Sequence, residues 1–212
     1  MPTAIQTVLE PRKSPVQARS TASVDAILVA SIQVLLQVGK ERLTTTRVAA
    51  RAGVSVGTLY QYFPNKSSLL QAVLKRHLNE VLEEVESACL AAHGQSLDHM
   101  AAALINAFLD AKTRNIRTSL ALYAINGDLD GARISLEMGT RAIEAIAAML
   151  ETSPRPLTAD PHSIASMVYG SLTGISRRLL ESPHPEKHVI PLRPELIFFV
   201  SSYLNACSTR LS

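Results

Sequence analysis

The chain has 212 residues, of which 47% are hydrophobic and 18% are charged, and this balance excludes an intrinsically disordered protein. Its formal net charge is only +3, so no strongly polyanionic or polycationic character dominates the whole chain. No membrane-spanning helix and no secretory signal are predicted. Cys89 and Cys207 lie far apart in the sequence, and we expect two reduced thiols in a cytoplasmic protein.

The charge is distributed unevenly. Residues 1–80 carry ten Lys and Arg against four Asp and Glu, whereas the remainder carries eleven against fourteen. A basic first third predicts a polyanionic partner for that part alone. A chance imbalance of surface charges is the alternative explanation.

The first 63 residues contain an arm, a helix and a pair of shorter helices. Residues 1–20, with three prolines, are predicted to form a flexible basic arm. The segment SVDAILVASIQVLLQVG predicts a helix that is capped by Ser23 and ended by Gly39. Short helices are then predicted at about 46–52 and 56–63, with a turn at Gly53 and Ser55 as the cap of the second helix.

Two short helices around a glycine turn indicate a helix-turn-helix over about residues 44–63. Helical spacing places Leu59 and Phe63 on the core side, together with Val48, Ala49, Ala52 and Val54. A long helix is predicted from Lys66 past residue 81, after the break at Pro64 and Asn65.

The opposite side of the second short helix carries hydroxyls, an amide and Gly57, which suit base edges and phosphates in a DNA major groove. Gly57 lets the backbone approach DNA closely, Gln61 can pair with adenine, and Arg47 and Lys66 can bind phosphates. The alternative is that the tyrosines pack within an ordinary helical bundle. The predicted DNA-binding residues are Thr45, Thr46, Arg47, Ser55, Val56, Gly57, Thr58, Tyr60, Gln61, Tyr62 and Lys66.

The rest of the chain shows helical periodicity alone. Helices are predicted near 96–113, 116–125, 131–151, 162–181 and 194–208, and no alternating strand pattern occurs. The predicted fold is all-α, with an N-terminal helix-turn-helix domain over residues 21–81 and a larger helical domain over residues 82–212.

The segment LTTTRVAARAGVSVGTLYQYFPNKSSLLQAVL resembles the DNA-binding signature of the TetR family of bacterial transcription regulators. The resemblance covers about residues 21–81, and the remainder is similar only in the number and order of its helices. It implies a homodimer on a palindromic operator and release of DNA when a small molecule enters the helical body. It also implies DNA contact at the positions of Thr45, Thr46, Val56, Gly57, Thr58, Tyr60, Tyr62 and Lys66. Thr46 stands where some members carry a base-reading Arg.

The resemblance further implies that the last two long helices form the dimer interface. Gly170 and Gly174 are four residues apart, so two helices could approach closely there. The final helix has an apolar stripe, and contact within one chain is the alternative for all of these positions. The predicted interface comprises Gly170, Gly174, Leu196, Phe199, Val200 and Tyr203.

A ligand pocket is expected among the middle helices of the body. Each candidate lining residue could equally belong to the ordinary core, and the scarcity of charges in these stretches predicts an uncharged or hydrophobic ligand. The candidates are Met100, Leu104, Phe108, Tyr123, Met138, Met167 and Tyr169.

The stretch NGDLDGARISLE, residues 126–137, approaches a calcium-binding loop in its spacing. Asn126 at the first position, Arg133 and Ile134 argue against calcium, and the end of one helix and the start of another are predicted instead. No metal site, cofactor or catalytic group is predicted. The sequence therefore predicts a non-enzymatic, ligand-responsive repressor with a DNA operator, a small effector and a second copy of itself as partners, and no membrane association. The alternative is an all-helical carrier or enzyme with an incidental helix-turn-helix.

Overall fold

The computed structural model describes residues 15–126 and 129–208, and these residues are almost entirely helical. The predicted all-α fold is confirmed. The helices are α1 (Pro15–Arg42), α2 (Thr45–Ala52), α3 (Val56–Tyr62), α4 (Lys66–Ala91), α5 (Leu97–Thr113), α6 (Ile116–Asn126), α7 (Leu129–Glu151), α8 (Pro161–Leu180) and α9 (Pro185–Ala206). The chain divides into two compact units between Leu69 and Leu70, within α4. The functional bounds 21–81 and 82–212 stay a prediction.

Helix α1 is longer than predicted at both ends. It begins at Pro15, a favoured residue in a first helical turn, so residues 15–20 of the predicted arm are helical and Ser23 is not its cap. The rest of the arm lies outside the described residues. Gly39 kinks the helix with φ of 76°, and helical structure resumes as far as Arg42.

One stretch of α1 bears on the prediction that no helix spans a membrane. In the described part of the chain, residues 20–42 alone are long and apolar enough for this, with a mean hydropathy of 1.7 over an 18-residue window. A buried helix in a protein core meets the same criteria, and so does an N-terminal signal. Ile27 and Val34 of this stretch are buried, and Gln33 accepts a 2.6 Å hydrogen bond from Arg51 of α2. These contacts give the apolar side of α1 a place in the core of the first unit.

The core of the first unit forms where α1, α2 and α3 meet. Val48, Ala49, Leu59 and Phe63 are buried, as predicted, whereas Ala52 and Val54 are half-buried. This burial holds α3 by one side and determines which of its residues stay outside.

The second unit has its own core, formed by side chains from α4, α5, α7, α8 and α9. Ser96 and Asp160 cap α5 and α8 by accepting hydrogen bonds from the backbone N–H groups of His99 and Ser163. Met100 is fully buried at the centre of this core. The second unit is therefore a packed helical body, and a ligand cavity in it has to lie between neighbouring helices.

Helix α9 begins nine residues earlier than the predicted start at residue 194. Pro191 and Pro194 lie inside it, although proline lacks the N–H that would complete the helical hydrogen bond. Both prolines are exposed, and Val189, Leu196 and Val200 bury the inner side of the helix. Burial of that side stabilises the helical course through a sequence that locally favours a loop.

Candidate DNA-binding surface and effector cavity

The turn between α2 and α3 has the geometry of a helix-turn-helix. Gly53 adopts the left-handed conformation, with φ of 69°, and the N–H of Val54 donates to the carbonyl of Ala49 at 3.1 Å. The Ser55 hydroxyl accepts from the N–H of Thr58 at 2.9 Å and so caps α3. The predicted turn at Gly53 and the predicted cap at Ser55 are confirmed, and together they fix the direction in which α3 leaves the turn.

The outer side of α3 is open. Ser55, Val56, Gly57, Tyr60 and Gln61 are exposed, and 46% of Tyr60 is accessible to solvent. Thr58 and Tyr62 are half-buried at the edges of this side. We call these seven residues the α3 face. The helices of residues 15–126 and 129–208 leave this face exposed to solvent, as a groove-reading helix requires.

Thr45 differs from the other predicted contact residues because it is buried, with 9% of its surface exposed. Its hydroxyl forms a 3.0 Å hydrogen bond with the hydroxyl of Tyr60. Thr45 is therefore suited to positioning Tyr60 rather than to contacting DNA through its own side chain. Thr46 and Arg47, in the same turn of α2, are exposed.

Lys66, at the start of α4, is half-buried and already bound within the first unit. Its ammonium donates to the carbonyl of Lys40 at 2.7 Å and to that of Glu41 at 3.5 Å. These carbonyls follow the Gly39 kink, so Lys66 ties the end of α1 to the start of α4. The sequence gives no sign of this anchoring.

The second unit contains a narrow cavity of about 60 Å³ between α4, α5, α7 and α8. Four of the predicted lining residues line it: Leu104, Phe108, Met138 and Tyr169. Met100 belongs to the packed core, Tyr123 lies against Arg177 at 5.8 Å, and Met167 is 61% exposed, so none of these three lines the cavity. Gly139 makes room for Tyr169, since a Cβ at residue 139 would lie 3.0 Å from the Tyr169 hydroxyl.

Sequence reasoning missed Lys112, the one charged side chain among the residues that line this cavity. Its ammonium lies 5.9 Å from the centre of the Phe108 ring, and burial lowers its pKa. Within residues 15–126 and 129–208, this ammonium has no hydrogen-bond or ion-pair partner. The spacing offered a signal, because Lys112 follows Leu104 and Phe108 at intervals of four on one side of α5.

A short hydrogen-bond chain lies beside Lys112. The Ser119 hydroxyl donates to the Lys112 carbonyl at 2.8 Å, and the Nε2 of His77 lies 3.3 Å from the same hydroxyl. Since Ser119 uses its proton on the carbonyl, His77 donates from Nε2 to Ser119. Burial and, secondarily, the nearby Lys112 lower the His77 pKa to about 4, so the ring is neutral near pH 7.

The predicted dimer residues fall into two groups. Gly170, Gly174 and Phe199 are exposed, and Tyr203 is half-buried. Leu196 and Val200 are buried in the core of their own unit, so the prediction that they face a partner is wrong for this conformation. Helical geometry places them on the inner side of α9, whereas Phe198, missed from the sequence, is 70% exposed on the outer side.

The calcium-like stretch adopts a different structure from a metal loop over its described residues. Asn126 ends α6, residues 127 and 128 lie outside the described residues, and residues 129–137 belong to α7. Glu137, at the final position, forms an ion pair with Lys75 at 3.4 Å. In the described ranges no three His, Cys, Asp or Glu side chains cluster in a way that could hold a metal ion.

Comparison with known proteins places these features in one family. Residues 27–73 match the model of the bacterial regulatory proteins of the tetR family, and residues 96–204 match that of the tetracyclin repressor-like C-terminal domain. An uncharacterized HTH-type transcriptional regulator of Mycobacterium tuberculosis is 28% identical over 148 residues, which cover 67% of this chain and 74% of that protein. The repressor KstR of Mycolicibacterium smegmatis is 40% identical over 65 residues, 31% of this chain and 32% of KstR.

Solved structures show the same fold. A TetR-family transcriptional regulator from Mesorhizobium loti is 20% identical, with a TM-score of 0.73 over 90% of this chain and 99% of that one. The C-terminal match covers half of the chain, and the N-terminal match covers the helix-turn-helix described above. The chain therefore belongs to the TetR family and is a DNA-binding transcriptional regulator.

Proposed function

We propose that this regulator is a repressor that binds a palindromic operator as a homodimer and leaves it when a small ligand enters the cavity of the second unit. The observation that carries the proposal is the open α3 face above a buried inner side at Leu59 and Phe63. Such a helix can enter a major groove without disturbing its own core. The seven residues of the face carry no charge, which suits base edges, and the exposed Arg47 in the first turn of α2 is suited to bind a phosphate.

Individual contacts follow from the chemistry of the face. Gln61 can form two hydrogen bonds with adenine, and Val56 can contact a thymine methyl group. Tyr60 and Tyr62 can donate hydroxyl hydrogen bonds to phosphates, and Gly57 permits close approach of the backbone. Thr45 and Lys66 contribute mainly by holding Tyr60 and the start of α4 in place.

Repression, rather than activation, is proposed by analogy with relatives. KstR is named a transcriptional repressor, and SmeT, a fold neighbour with a TM-score of 0.69, is described as the repressor of a multidrug efflux pump. Because fold alone does not fix function, the operator measurement below is the test. Proteins of this family typically act by binding DNA, so we propose a regulatory, non-enzymatic role in the bacterial cytoplasm.

The homodimer is proposed to form through the outer sides of α8 and α9. Met167, Phe198 and Phe199 expose apolar surface there. Apart from adjacent residues and the backbone of α8 itself, no described atom lies within 4 Å of a Cβ built at Gly170 or Gly174. An apolar surface with open glycines suits a two-fold interface. Two copies would then present two α3 faces to the half-sites of a palindrome.

Helix α4 is proposed to couple ligand and DNA binding. It begins at Lys66 in the first unit, and its residues Leu82 and Val85 line the cavity of the second unit. A cavity of about 60 Å³ is too small for an effector that needs about 300 Å³ or more, so a ligand must displace the lining helices. Displacement of α4 would then shift the equilibrium from a DNA-binding state of the regulator to a ligand-bound state that releases DNA.

The test is selection of a preferred duplex from random sequences, followed by titration of that duplex at several salt concentrations. We expect a palindromic preference and an affinity that falls linearly with salt on logarithmic axes. Gln61→Ala should weaken the free energy of operator binding by about 1–3 kcal/mol. On duplexes in which the contacted adenine is already replaced, the same variant should have little effect. Equal affinity for all sequences would overturn the proposal.

A further inference from the structure

The cavity of the second unit combines an apolar wall with one cation. Leu82, Leu104, Met138 and Ile146 supply hydrocarbon surface, and Lys112 lies among them without a hydrogen-bond or ion-pair partner in the described residues. Withdrawing a cation from water is unfavourable, and here the ammonium gains only the Phe108 ring, 5.9 Å away, in return. A lysine at this place is therefore better explained by a partner that arrives with the ligand than by the stability of the empty protein.

Among the described residues, no carboxylate is paired with Lys112. His77, whose ring is neutral near pH 7, supplies no negative charge, and its hydrogen bond goes to Ser119. Glu80, a carboxylate that acts electrostatically on His77, is ion-paired with Arg76 at 3.2 Å. Asp110, two residues before Lys112 on α5, is ion-paired with Arg193.

The cavity also contains a second polar group. The hydroxyl of Tyr169 forms no hydrogen bond with the described residues, and its ring is held against Gly139. A phenol can donate one hydrogen bond, and an ammonium can donate three. Both groups thus favour an acceptor, and the rest of the wall favours hydrocarbon.

We propose that the effector is an amphipathic carboxylate, whose anionic group binds the Lys112 ammonium and whose alkyl chain lies against the apolar wall. This proposal replaces the uncharged or hydrophobic ligand predicted from the sequence. It rests on the proposed function only in that the cavity is taken as the effector site. The carboxylate favours the charged state that burial opposes in the lysine, and the alkyl chain contacts the apolar wall once the lining helices have moved apart to admit it.

The experiment measures ligand binding by calorimetry with the full-length protein and no DNA, so its failure is distinguishable from failure of operator binding. The probes are decanoate, 1-decanol and decylamine, which share one alkyl chain and carry a negative, no or a positive charge. We expect decanoate to bind at least tenfold tighter than decanol and decylamine to bind weakest. Equal affinities, or no binding of decanoate, would overturn the proposal.

Variants test whether Lys112 is the residue that binds the anionic group of the ligand. Lys112→Met removes the ammonium at similar volume and should weaken decanoate by about tenfold to a hundredfold while decanol changes less than threefold. Lys187→Met is the control, since Lys187 lines the open cleft between α8 and α9, and it should leave decanoate binding unchanged. If Lys187→Met lost decanoate and Lys112→Met did not, the anion site would lie in that cleft and the assignment would be wrong.

A folding defect in Lys112→Met would not end the test. Lys112→Arg retains the charge and should retain the preference for decanoate over decanol. Ala142→Leu narrows the cavity from α7 and should weaken decanoate and decanol together. Unchanged binding of both probes to Ala142→Leu would place the ligand elsewhere and overturn the proposal.

Discussion

The hydroxyl of Tyr60 lies 3.0 Å from the hydroxyl of Thr45, so an exposed residue of α3 is held by a buried residue of α2. The bond crosses the turn of the helix-turn-helix. It fixes the direction of the Tyr60 ring before DNA binds. Less conformational entropy is therefore lost when the complex forms. The two residues should therefore act on operator affinity as one unit.

A double-mutant cycle tests this coupling. Thr45→Val should weaken operator binding by about 1 kcal/mol, the value of one hydrogen bond. In the Tyr60→Phe background the same change should cost almost nothing, because the bond is already lost. Fluorescence anisotropy on one operator duplex gives both numbers. Equal losses in the two backgrounds would show that Thr45 contacts DNA directly.

Gly57 offers a test of close approach between α3 and DNA. A Cβ there would meet only Ser55 Oγ, at 3.7 Å, so Gly57→Ala fits the free protein. Alanine favours helix, and we expect the free energy of unfolding to stay equal or rise by up to about 1 kcal/mol. Operator affinity should nevertheless fall by about 1–3 kcal/mol if the backbone touches the duplex. A variant that binds as tightly as the wild type would remove Gly57 from the interface.

Arg47 and Lys66 separate phosphate binding from anchoring. Lys66→Met should lower the free energy of unfolding by about 1–2 kcal/mol, since two carbonyls lose a charged donor at a half-buried position. Within the described residues the Arg47 guanidinium donates only a long, exposed hydrogen bond, 3.4 Å to the carbonyl of Arg42, so Arg47→Met should change the free energy of unfolding by at most about 0.5 kcal/mol. It should reduce the slope of log affinity against log salt by about 0.9, the effect of one phosphate contact. Chemical denaturation and salt titration measure the two quantities. A reversed pattern would assign Lys66 to the phosphate and Arg47 to the fold.

The sequence was sufficient for features that depend on local rules. The glycine turn, the Ser55 cap and the inward direction of Leu59 and Phe63 follow from backbone preference and helical spacing, and all are present. The longer α9 was missed because Pro191 and Pro194 locally favour a loop, while tertiary burial of Leu196 and Val200 supports the helix.

Partners that lie far apart in the sequence could not be predicted. Thr45 and Tyr60, or Lys66 and Lys40, meet only after the helices pack. Lys112 and Phe198 were missed for a related reason. The orientation of one helix relative to its neighbours decides whether a residue faces a cavity, a core or the outside, and periodicity alone leaves that orientation undetermined.

His77 should make stability depend on pH. Its pKa is about 4 in the folded protein against 6.5 ordinarily, so the unfolded chain takes up a proton between these values that the folded protein does not. Stability should therefore fall as pH decreases from about 6.5 towards 4, with a loss of at most about 2 kcal/mol at pH 5. Denaturation at pH 7.5 and 5.0 measures this difference. His77→Gln should remove it, whereas exposed His93→Gln should retain it, and identical pH dependence in all three proteins would contradict the assignment.

The outer side of α9 provides the last prediction. Phe198 is 70% exposed, and if it packs against a second copy, Phe198→Glu places a carboxylate in an apolar interface without disturbing the folded chain. Leu90→Glu is the matched control, because Leu90 is 69% exposed and belongs to α4 rather than to α8 or α9. Light scattering after size exclusion should show a monomer for Phe198→Glu and a dimer for the wild type and the control, with unchanged helical circular dichroism in all three. Since a palindrome is read by two linked α3 faces, the monomeric variant should also lose most of its operator affinity. A dimer that persists in Phe198→Glu would place the interface on another surface.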